Sequence, residues 1–320
     1  MNDASDAPVR TALAPRADAD YLRGVVLVAL AGVFWSLGGV LVRWVEAASA
    51  WQIIFYRSLA MALTLALIVA IRHRGRLLAA FARAGWNGLL AGACLSGGFM
   101  GFILALSHTT VANAVFMLGV TPFVAAVLGW WWLGEPVRRA TWLAMAIACL
   151  GVATMVANGI AIGTALGNGL ALGTALCFAT FSVLLRRGRE QDMLPCVAHA
   201  GIVAFLVSGL LLTLGLGGAP SDGLASLAIG SRDLVLCLIM GSVQVGTGLT
   251  IYTLGARHVP AAELTLLSLT ELALAPIWVW LAVGEVPTPL TLAGGGIIMA
   301  AIAYQALSGA RRRRTPAGLV

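Results

Sequence analysis

Residues 120–135 read "VTPFVAAVLGWWWLGE", and residues 270–285 read "TELALAPIWVWLAVGE". Both stretches are mainly apolar, both contain a proline, and both end in a Gly-Glu pair, so that 150 residues separate Glu135 from Glu285. An apolar run of about 20 residues is what a helix needs to cross the hydrocarbon core of a bilayer. The two stretches therefore predict two equivalent membrane-spanning helices in a chain that repeats itself.

The composition extends this prediction to the whole chain of 320 residues. Hydrophobic residues make up 60% of it and charged residues 10%, whereas a soluble domain averages about 25% charged residues. We expect an all-α integral membrane protein. Its ten predicted spans cover residues 24–43, 51–71, 86–106, 112–133, 140–157, 167–185, 195–216, 233–254, 262–283 and 290–308.

The charge distribution predicts the orientation of these spans. All 20 basic residues are arginines and the net charge is +7, but the arginines stand at helix ends and in short loops, which argues against a nucleic-acid partner. With the N-terminus inside, 17 of the arginines fall on the cytoplasmic side. Because cytoplasmic loops are enriched in basic residues, both termini are predicted to be cytoplasmic.

The repeat becomes clearer when residues 104–147 are aligned without a gap on residues 254–297. Nine positions are identical, among them His108 with His258 and Thr141 with Thr291. A second register, offset by 143 residues, aligns further identical residues: Gly24 with Gly167, Val40 with Val183, Leu41 with Leu184, and Arg43 with Arg186. Each half then has five spans, and an odd number inverts the second half in the membrane, as in many secondary transporters.

The predicted organisation is a disordered cytoplasmic tail, two five-helix repeats joined by an external linker, and a basic cytoplasmic tail. These five segments are residues 1–23, 24–157, 158–166, 167–308 and 309–320. The N-terminal tail has no apolar run before a small-residue cleavage site, so no signal peptide is predicted.

At this level of detail the chain resembles the EamA family of the drug/metabolite transporter superfamily. The resemblance spans residues 24–308 and is most specific in the segments 105–135 and 254–285, which are similar to the fourth and ninth helices of the family. It implies a bacterial inner-membrane carrier of small metabolites, often an exporter of amino acids or related compounds. In many relatives Glu-Pro stands where this chain has Glu271-Leu272, and its proline comes one turn later at Pro276.

Prolines in the two equivalent spans point to the transport site. Helices that are interrupted at corresponding positions of two repeats are typical of transporter binding sites near the bilayer midplane. Pro122 and Pro276 are such a pair, because an internal proline removes one backbone hydrogen bond and kinks the helix. A plain structural kink is the alternative for both residues.

Glu271 is the main candidate for substrate binding or coupling. It is predicted near the middle of the ninth span, where a charged side chain costs about 2.5 to 3.5 kcal/mol on insertion scales. Such a carboxylate needs a cation or a proton, so we expect it to bind a cationic group of the substrate or a coupling proton. The alternative is a carboxylate that is hydrogen-bonded to the backbone around the kink.

Arg57 is the second charged candidate, about two turns into the second span. It could bind a substrate carboxylate or form an internal ion pair, or it could extend towards the membrane surface, roughly 9 Å away. The second repeat has Ala200 at the corresponding position, so any role of Arg57 is not duplicated.

Three further residues complete the candidate set. Gln244 carries an amide that could hydrogen-bond a substrate or hold two helices together. Asn113 stands near a helix start, where capping is the competing role, and Trp35 could wall an apolar cavity or simply pack.

Other functional classes find little support in the sequence. The five cysteines stand singly in apolar runs, which indicates neither a metal site nor disulfides, and no cofactor is expected. No HExxH motif, paired intramembrane aspartates or nucleotide-binding loop occurs, so an enzyme or an ATP-driven pump is not favoured. A secondary transporter for a small molecule is predicted, and a membrane scaffold or receptor is the alternative. Proton coupling and a homodimer are compatible with the sequence.

Overall fold

The computed structural model describes residues 7–106, 108–109, 111–157, 165–216 and 223–314, which fold into α-helices joined by short turns. The α-helices are α1 (Ala7–Ser36), α2 (Gly38–Arg43), α3 (Ala50–Arg72), α4 (Leu77–Leu106), α5 (Val111–Leu118), α6 (Thr121–Leu133), α7 (Arg139–Val156), α8 (Ala165–Arg187), α9 (Leu194–Thr213), α10 (Ser231–Ile239), α11 (Gly248–Gly255), α12 (Ala261–Ser268), α13 (Thr270–Val283) and α14 (Pro289–Arg314). A 3-10 helix forms at Gly223–Leu227 and a π-helix at Met240–Thr247.

Nine spans in the described part of the chain are long and apolar enough to cross a membrane. The third predicted span, 86–106, lies in α4, whose backbone departs from helical geometry at Gly85. Four spans consist of more than one helix, because the chain breaks between α1 and α2, between α5 and α6, at the π-helix between α10 and α11, and between α12 and α13. The fold is thus the all-helical membrane fold that the sequence predicts.

The predicted tails and linker are only partly described. Residues 1–6, 158–164 and 315–320 lie outside the described residues. Residues 7–23, predicted as part of a disordered tail, belong to α1 in the structure. The alanine content of this segment explains the difference, since alanine has the highest helix propensity.

The doubled Gly-Glu pair ends two equivalent helices. Gly134 after α6 has φ of 65° and Gly284 after α13 has φ of 79°, and the N–H of each donates to a carbonyl of the preceding turn. Glycine adopts this left-handed conformation without the steric cost that a side chain brings. The repeated glycine therefore has a local cause, the same helix ending in both repeats.

Each repeat packs its first span against the fourth span of the other repeat. α1 lies along α12 and α13, and α8 lies along α5 and α6. A Cβ atom added to Gly24 would come within 2.7 Å of the His258 Cβ, and one added to Gly167 within 2.6 Å of the His108 carbonyl carbon. The two glycines are equivalent, as are the two histidines, so the same close contact occurs twice.

The breaks in the fourth and ninth spans are also equivalent. The first lies at Gly119–Val120, directly before Pro122, which stands in the first turn of α6. The second lies at Leu269, 150 residues after Gly119, and Pro276 stands inside the continuous helix α13. At the second break, Leu272 N–H donates to the Leu269 carbonyl in a tighter 3-10 turn, whereas Pro276, the predicted kink residue, stands seven residues further along.

Ion pairs gather at two ends of the helix bundle, and most of them join one repeat to the other. We call the end with Arg72, Arg138, Arg186 and Arg257 the arginine-rich end. Its ion pairs join Arg186 to Glu135, Arg138 to Glu263, and Arg72 and Arg257 to Asp192. At the opposite end, Arg43 pairs with Glu285 and Arg232 pairs with Glu46.

Candidate functional site

Glu271 stands in the first turn of α13, directly after the break at Leu269. α1 supports this turn, because Gly32 comes so close that an added Cβ atom would lie 2.9 Å from the Thr270 Cβ and 3.3 Å from the Glu271 nitrogen. The N-terminus of a helix carries a partial positive charge, which favours a carboxylate there. The broken helix thus offers a position at which an acidic side chain is tolerated deep in the span.

Arg57 projects from α3 towards α4 and lies with its guanidinium 5.3 Å from the centroid of the Phe99 ring. A cation over an aromatic face is attracted by the ring quadrupole. The backbone of Arg57 is held as closely, since a Cβ atom added to Gly241 of the π-helix would lie 2.1 Å from the Arg57 carbonyl oxygen. Contacts with α4 and with the π-helix therefore fix the position of Arg57.

The two charged candidates, Arg57 and Glu271, lie within electrostatic range of each other. Arg57 and Glu271 are close enough for their charges to interact, but the ion pairs among the described residues do not include one between them within 4.0 Å. Both side chains are only half-buried although each stands well inside its span. Two opposite charges therefore stand inside their spans within electrostatic range of each other, with no direct ion pair between them in the described part of the chain.

Gln244 lies on the π-helix, and its side chain connects the second repeat to the first. Its amide nitrogen donates a 2.9 Å hydrogen bond to the Trp35 carbonyl, close to the break between α1 and α2. Its amide oxygen is buried and has no hydrogen-bond partner among the described residues. Because π-helical turns are frequent at functional sites, the free acceptor and the unusual helix together keep Gln244 a candidate.

Trp35 belongs to an aromatic cluster that sequence reasoning identified only in part. Its ring lies 5.1 Å from Tyr252 and 6.0 Å from Phe178, measured between centroids, and Phe181 stacks on Tyr252 at 6.2 Å. The Tyr252 hydroxyl is buried and hydrogen-bonds to Ser182 at 2.8 Å. The spacing of Phe178 and Phe181 on one face of α8 was the available signal for these residues.

Asn113, the remaining candidate, has a side chain that lies outside the described residues. Of the predicted set, the structure brings Arg57 and Glu271 within electrostatic range and joins Gln244 to Trp35. Pro122 and Pro276 stand in the two broken spans, but only Pro122 lies next to a break.

A second polar cluster at the arginine-rich end escaped the sequence reasoning. Glu263, in the first turn of α12, is 3% exposed. One carboxylate oxygen accepts a hydrogen bond from Arg138, and the other accepts one of 2.7 Å from the Tyr21 hydroxyl of α1. Burial alone would lower the pKa of Arg138, but the Glu263 carboxylate and the Tyr21 hydroxyl raise it above its ordinary value.

A cavity of about 390 Å³ adjoins this cluster between α6, α7, α12 and α14. Its lining includes Gly129, Glu135, Arg138, Thr141, Ala261 and Glu263. The Thr141 hydroxyl is buried and has no hydrogen-bond partner in the described part of the chain. Space for water or a small polar group is therefore present beside the ion pair.

Glu135 joins the two repeats at the same end. Its carboxylate accepts hydrogen bonds of 2.7 Å from the Arg186 guanidinium and of 3.3 Å from the Ala261 N–H. Among the described residues no group of three or more His, Cys, Asp or Glu side chains could hold a metal ion. The polar side chains around Glu271 and around Glu263 are of the types that bind charged or hydrogen-bonding groups of organic molecules.

Comparison with known proteins agrees with this architecture. A family model described as the EamA-like transporter family matches residues 22–157 and 165–305. The chain belongs to this family. The two matched ranges cover nearly all of the described helices of this EamA-like transporter.

Two curated relatives carry transporter names. The pseudopaline exporter CntI of Pseudomonas aeruginosa is 26% identical over 282 residues, which cover 87% of the present chain and 94% of the exporter. An uncharacterized transporter of Vibrio cholerae is 25% identical over 136 residues, which cover 42% of this chain and 45% of that relative, so that this match spans about half of the relative's length. A crystal structure of a protein with 17% sequence identity superposes with a TM-score of 0.75. The match covers 90% of the present chain and 98% of the other, which indicates a shared fold.

The EamA-like chain is therefore a multi-pass membrane transporter. Its family and its relatives point to transport and not to catalysis. A transporter of this kind resides in a lipid bilayer and binds a small-molecule substrate.

Proposed function

We propose that this transporter exports a small metabolite that carries both a cationic group and a carboxylate, across the cytoplasmic membrane and by alternating access. The observation that carries the proposal is the relationship between Arg57 and Glu271. These opposite charges come from different repeats, lie within electrostatic range, are each only half-buried, and form no direct ion pair among the described residues. A substrate with both charges would complete the two half-sites at once.

The chemistry of the two side chains favours this class of substrate. A guanidinium binds a carboxylate through two parallel N–H···O bonds, which fixes orientation as well as charge. Glu271 would accept hydrogen bonds from an ammonium group of the substrate. Phe99 already orders the Arg57 guanidinium, so less conformational entropy would be lost when a carboxylate binds.

The aromatic cluster supplies the apolar part of the proposed site. Trp35, Phe178 and Tyr252 pack together near the break between α1 and α2. Small-molecule sites are mostly apolar with a few placed polar groups, which is the combination proposed here. Gln244, held against the Trp35 carbonyl, would offer its free amide oxygen to a substrate donor.

Orientation and direction are part of the same proposal. The arginine-rich end would face the cytoplasm, since basic residues accumulate on that side. Both termini would then be cytoplasmic, and the second repeat would be inverted relative to the first. The name of the Pseudomonas aeruginosa relative, an exporter, supports outward transport.

Proton coupling is a further element of the proposal and is carried by Glu271. A carboxylate inside a membrane span binds a proton more readily than one in water because burial disfavours its charge. Substrate ammonium and proton would then compete for one carboxylate. Inward movement of a proton would accompany outward release of the substrate.

Binding to the purified protein tests the substrate class without a transport assay. A ligand that binds only the folded state raises its stability, by about 2.7 kcal/mol at a concentration of 100 Kd. We expect thermal stabilisation by amino-carboxylate compounds and little by the corresponding amines or acids that carry one charge. Stabilisation by singly charged compounds alone would contradict the proposed class.

Charge-neutral variants connect the binding to the two residues. Glu271→Gln and Arg57→Gln should each abolish the stabilisation, because each leaves one charge of the ligand unpaired. Glu46→Gln is the matched control, since Glu46 forms an exposed ion pair with Arg232 at the opposite end. If Glu271→Gln and Arg57→Gln bound the same ligands as the unmodified protein, the proposed site would be wrong.

A further inference from the structure

The arginine-rich end is closed by contacts between the inner halves of the fourth and ninth spans. α6 packs against α12, and a Cβ atom added to Gly129 would lie 3.5 Å from the Ala261 Cβ. Glu135 accepts the Ala261 N–H, and Arg138 pairs with Glu263. In the described part of α5 and α13, the outer halves of the same spans, no contact of comparable extent occurs.

Glu263 is the centre of these closing contacts. Its two carboxylate oxygens bind one residue from the segment before α7 and one from α1, so that a single side chain ties three elements together. A buried carboxylate that loses one of these partners must recover the lost interaction from water. The cavity beside Arg138 and Glu263 offers a route by which water can reach them.

The inverted repeat does not reproduce this cluster at the opposite end. The register of 150 residues that matches Glu135 to Glu285 also matches Arg138 to Thr288 and Glu263 to Asn113. Both counterparts are uncharged. The two ends thus share a helix ending and a glutamate but differ in the ion pair that closes one of them.

We propose that Glu263, Arg138 and Tyr21 form a gate, the Glu263 gate, that holds the arginine-rich end closed and sets the resting conformation of the transporter. This inference rests on the proposed alternating access. Opening of the arginine-rich end breaks the Glu263 gate and separates α6 from α12. Closure of the opposite end brings the equivalent helices together without a counterpart of the Arg138–Glu263 ion pair, so the resting population favours the state described here.

A cysteine pair at Gly129 and Ala261 measures this closure directly. The Cβ separation of 3.5 Å falls within the range of roughly 3.5 to 4.5 Å that a disulfide requires. Gly129→Cys and Ala261→Cys would be introduced after alanine replaces the five native cysteines. The rate of cross-linking by a mild oxidant, in membranes and without any substrate, then reports the population of the closed state.

The gate variants should change that rate in a graded way. Glu263→Gln should slow cross-linking about tenfold, because the rate follows the closed population and that population would change from the majority to a minority. Tyr21→Phe, which removes one hydroxyl and leaves the ion pair, should slow it less. The exchange of Arg138→Glu with Glu263→Arg should recover much of the lost rate, because an ion pair is possible again.

Glu46→Gln is the control, because it removes an exposed ion pair at the opposite end and should leave the rate unchanged. An unchanged rate in both Glu263→Gln and Tyr21→Phe would overturn the Glu263 gate, as would an exchange variant no faster than Glu263→Gln. Tyr21→Phe keeps the test valid if Glu263→Gln does not fold. Cross-linking needs no substrate, so it tests the Glu263 gate independently of transport. If the cross-linking rates change as expected but no solute is transported, the proposed function fails while the gate stands.

Discussion

The Glu135 carboxylate at the end of α6 accepts a 2.7 Å hydrogen bond from the Arg186 guanidinium at the end of α8. At the opposite end, Glu285 and Arg43 form an ion pair of 3.0 Å. Glu285 matches Glu135 in one register of the repeat, and Arg43 matches Arg186 in the other. Each pair joins one repeat to the other, so the doubled Gly-Glu marks both ends of the interface between them.

These two ion pairs should contribute unequally to stability. The side chains of Arg186 and Glu135 are 12% and 22% exposed, whereas those of Arg43 and Glu285 are 57% and 46% exposed. Glu135→Gln should cost about 1.5 to 3 kcal/mol, as expected for a hydrogen bond to a charged group. Glu285→Gln should cost about 0 to 1 kcal/mol, as expected for an exposed ion pair. Thermal unfolding in detergent compares the two, and equal losses would contradict the assignment.

The glycines before these glutamates should resist substitution for a backbone reason. Gly134→Ala and Gly284→Ala place a side chain at positive φ, where nothing lies within 4 Å of the new Cβ atom. We expect each to lower the free energy of unfolding by about 1 to 2 kcal/mol, the cost of a left-handed conformation. Gly173→Ala in α8 is the control, because its added Cβ also meets nothing but its helical backbone suits alanine. An unchanged free energy of unfolding in Gly134→Ala would show that this turn can adopt another backbone conformation, and would contradict the prediction.

Gly241 should be less tolerant than any of these positions because the obstacle is backbone. A Cβ atom there would lie 2.1 Å from the Arg57 carbonyl oxygen and 2.6 Å from the Ala60 Cβ. Gly241→Ala must therefore move the π-helix away from α3, and with it the position of Arg57. We expect loss of ligand-induced stabilisation together with a lower unfolding temperature. Gly169→Ala, whose Cβ would meet nothing, is the matched control, and full ligand binding by Gly241→Ala would argue against a fixed Arg57.

Protonation of His258 should make the protein less stable as the pH falls. Burial, opposed by the charge of Asp20 but assisted by the nearby Arg23, Arg257 and Arg186, lowers the pKa of His258 below its ordinary value. Below the ordinary pKa of about 6.5 the unfolded chain binds a proton that the folded chain still excludes, so stability decreases as the pH falls towards the lowered folded-state pKa. His258→Gln should flatten the dependence of unfolding temperature on pH between about 7 and 5. An identical dependence in both proteins would exclude this contribution.

The fold could be predicted from the sequence to the extent that it is encoded in apolar runs and in the repeat. The doubled Gly-Glu marked equivalent helix ends, and both glycines end helices in the same conformation. The break in the ninth span could not be placed from Pro276, because a 3-10 turn at Leu269 interrupts the span without any proline. Equivalence to Gly119 was the usable signal, since both breaks obey the register of 150 residues.

The polar clusters could be predicted only where a single residue is unusual by itself. Glu271 stood out because a carboxylate well inside a span is costly. Glu263 did not, because it is the second residue of a predicted span, at a depth where water usually solvates a carboxylate. Its burial depends on Arg138 and Tyr21, which are 125 and 242 residues away in sequence. These three side chains come together only because the two repeats pack against each other.

Flux through reconstituted vesicles tests the central claim most directly. Proteoliposomes loaded with an amino-carboxylate compound that stabilises the purified protein should release it faster than protein-free vesicles. Glu271→Gln and Arg57→Gln should reduce this release to the protein-free rate, while Glu46→Gln should release it at the unmodified rate. Release that is unaffected by Glu271→Gln and by Arg57→Gln, or no release of any compound that binds, would contradict the account.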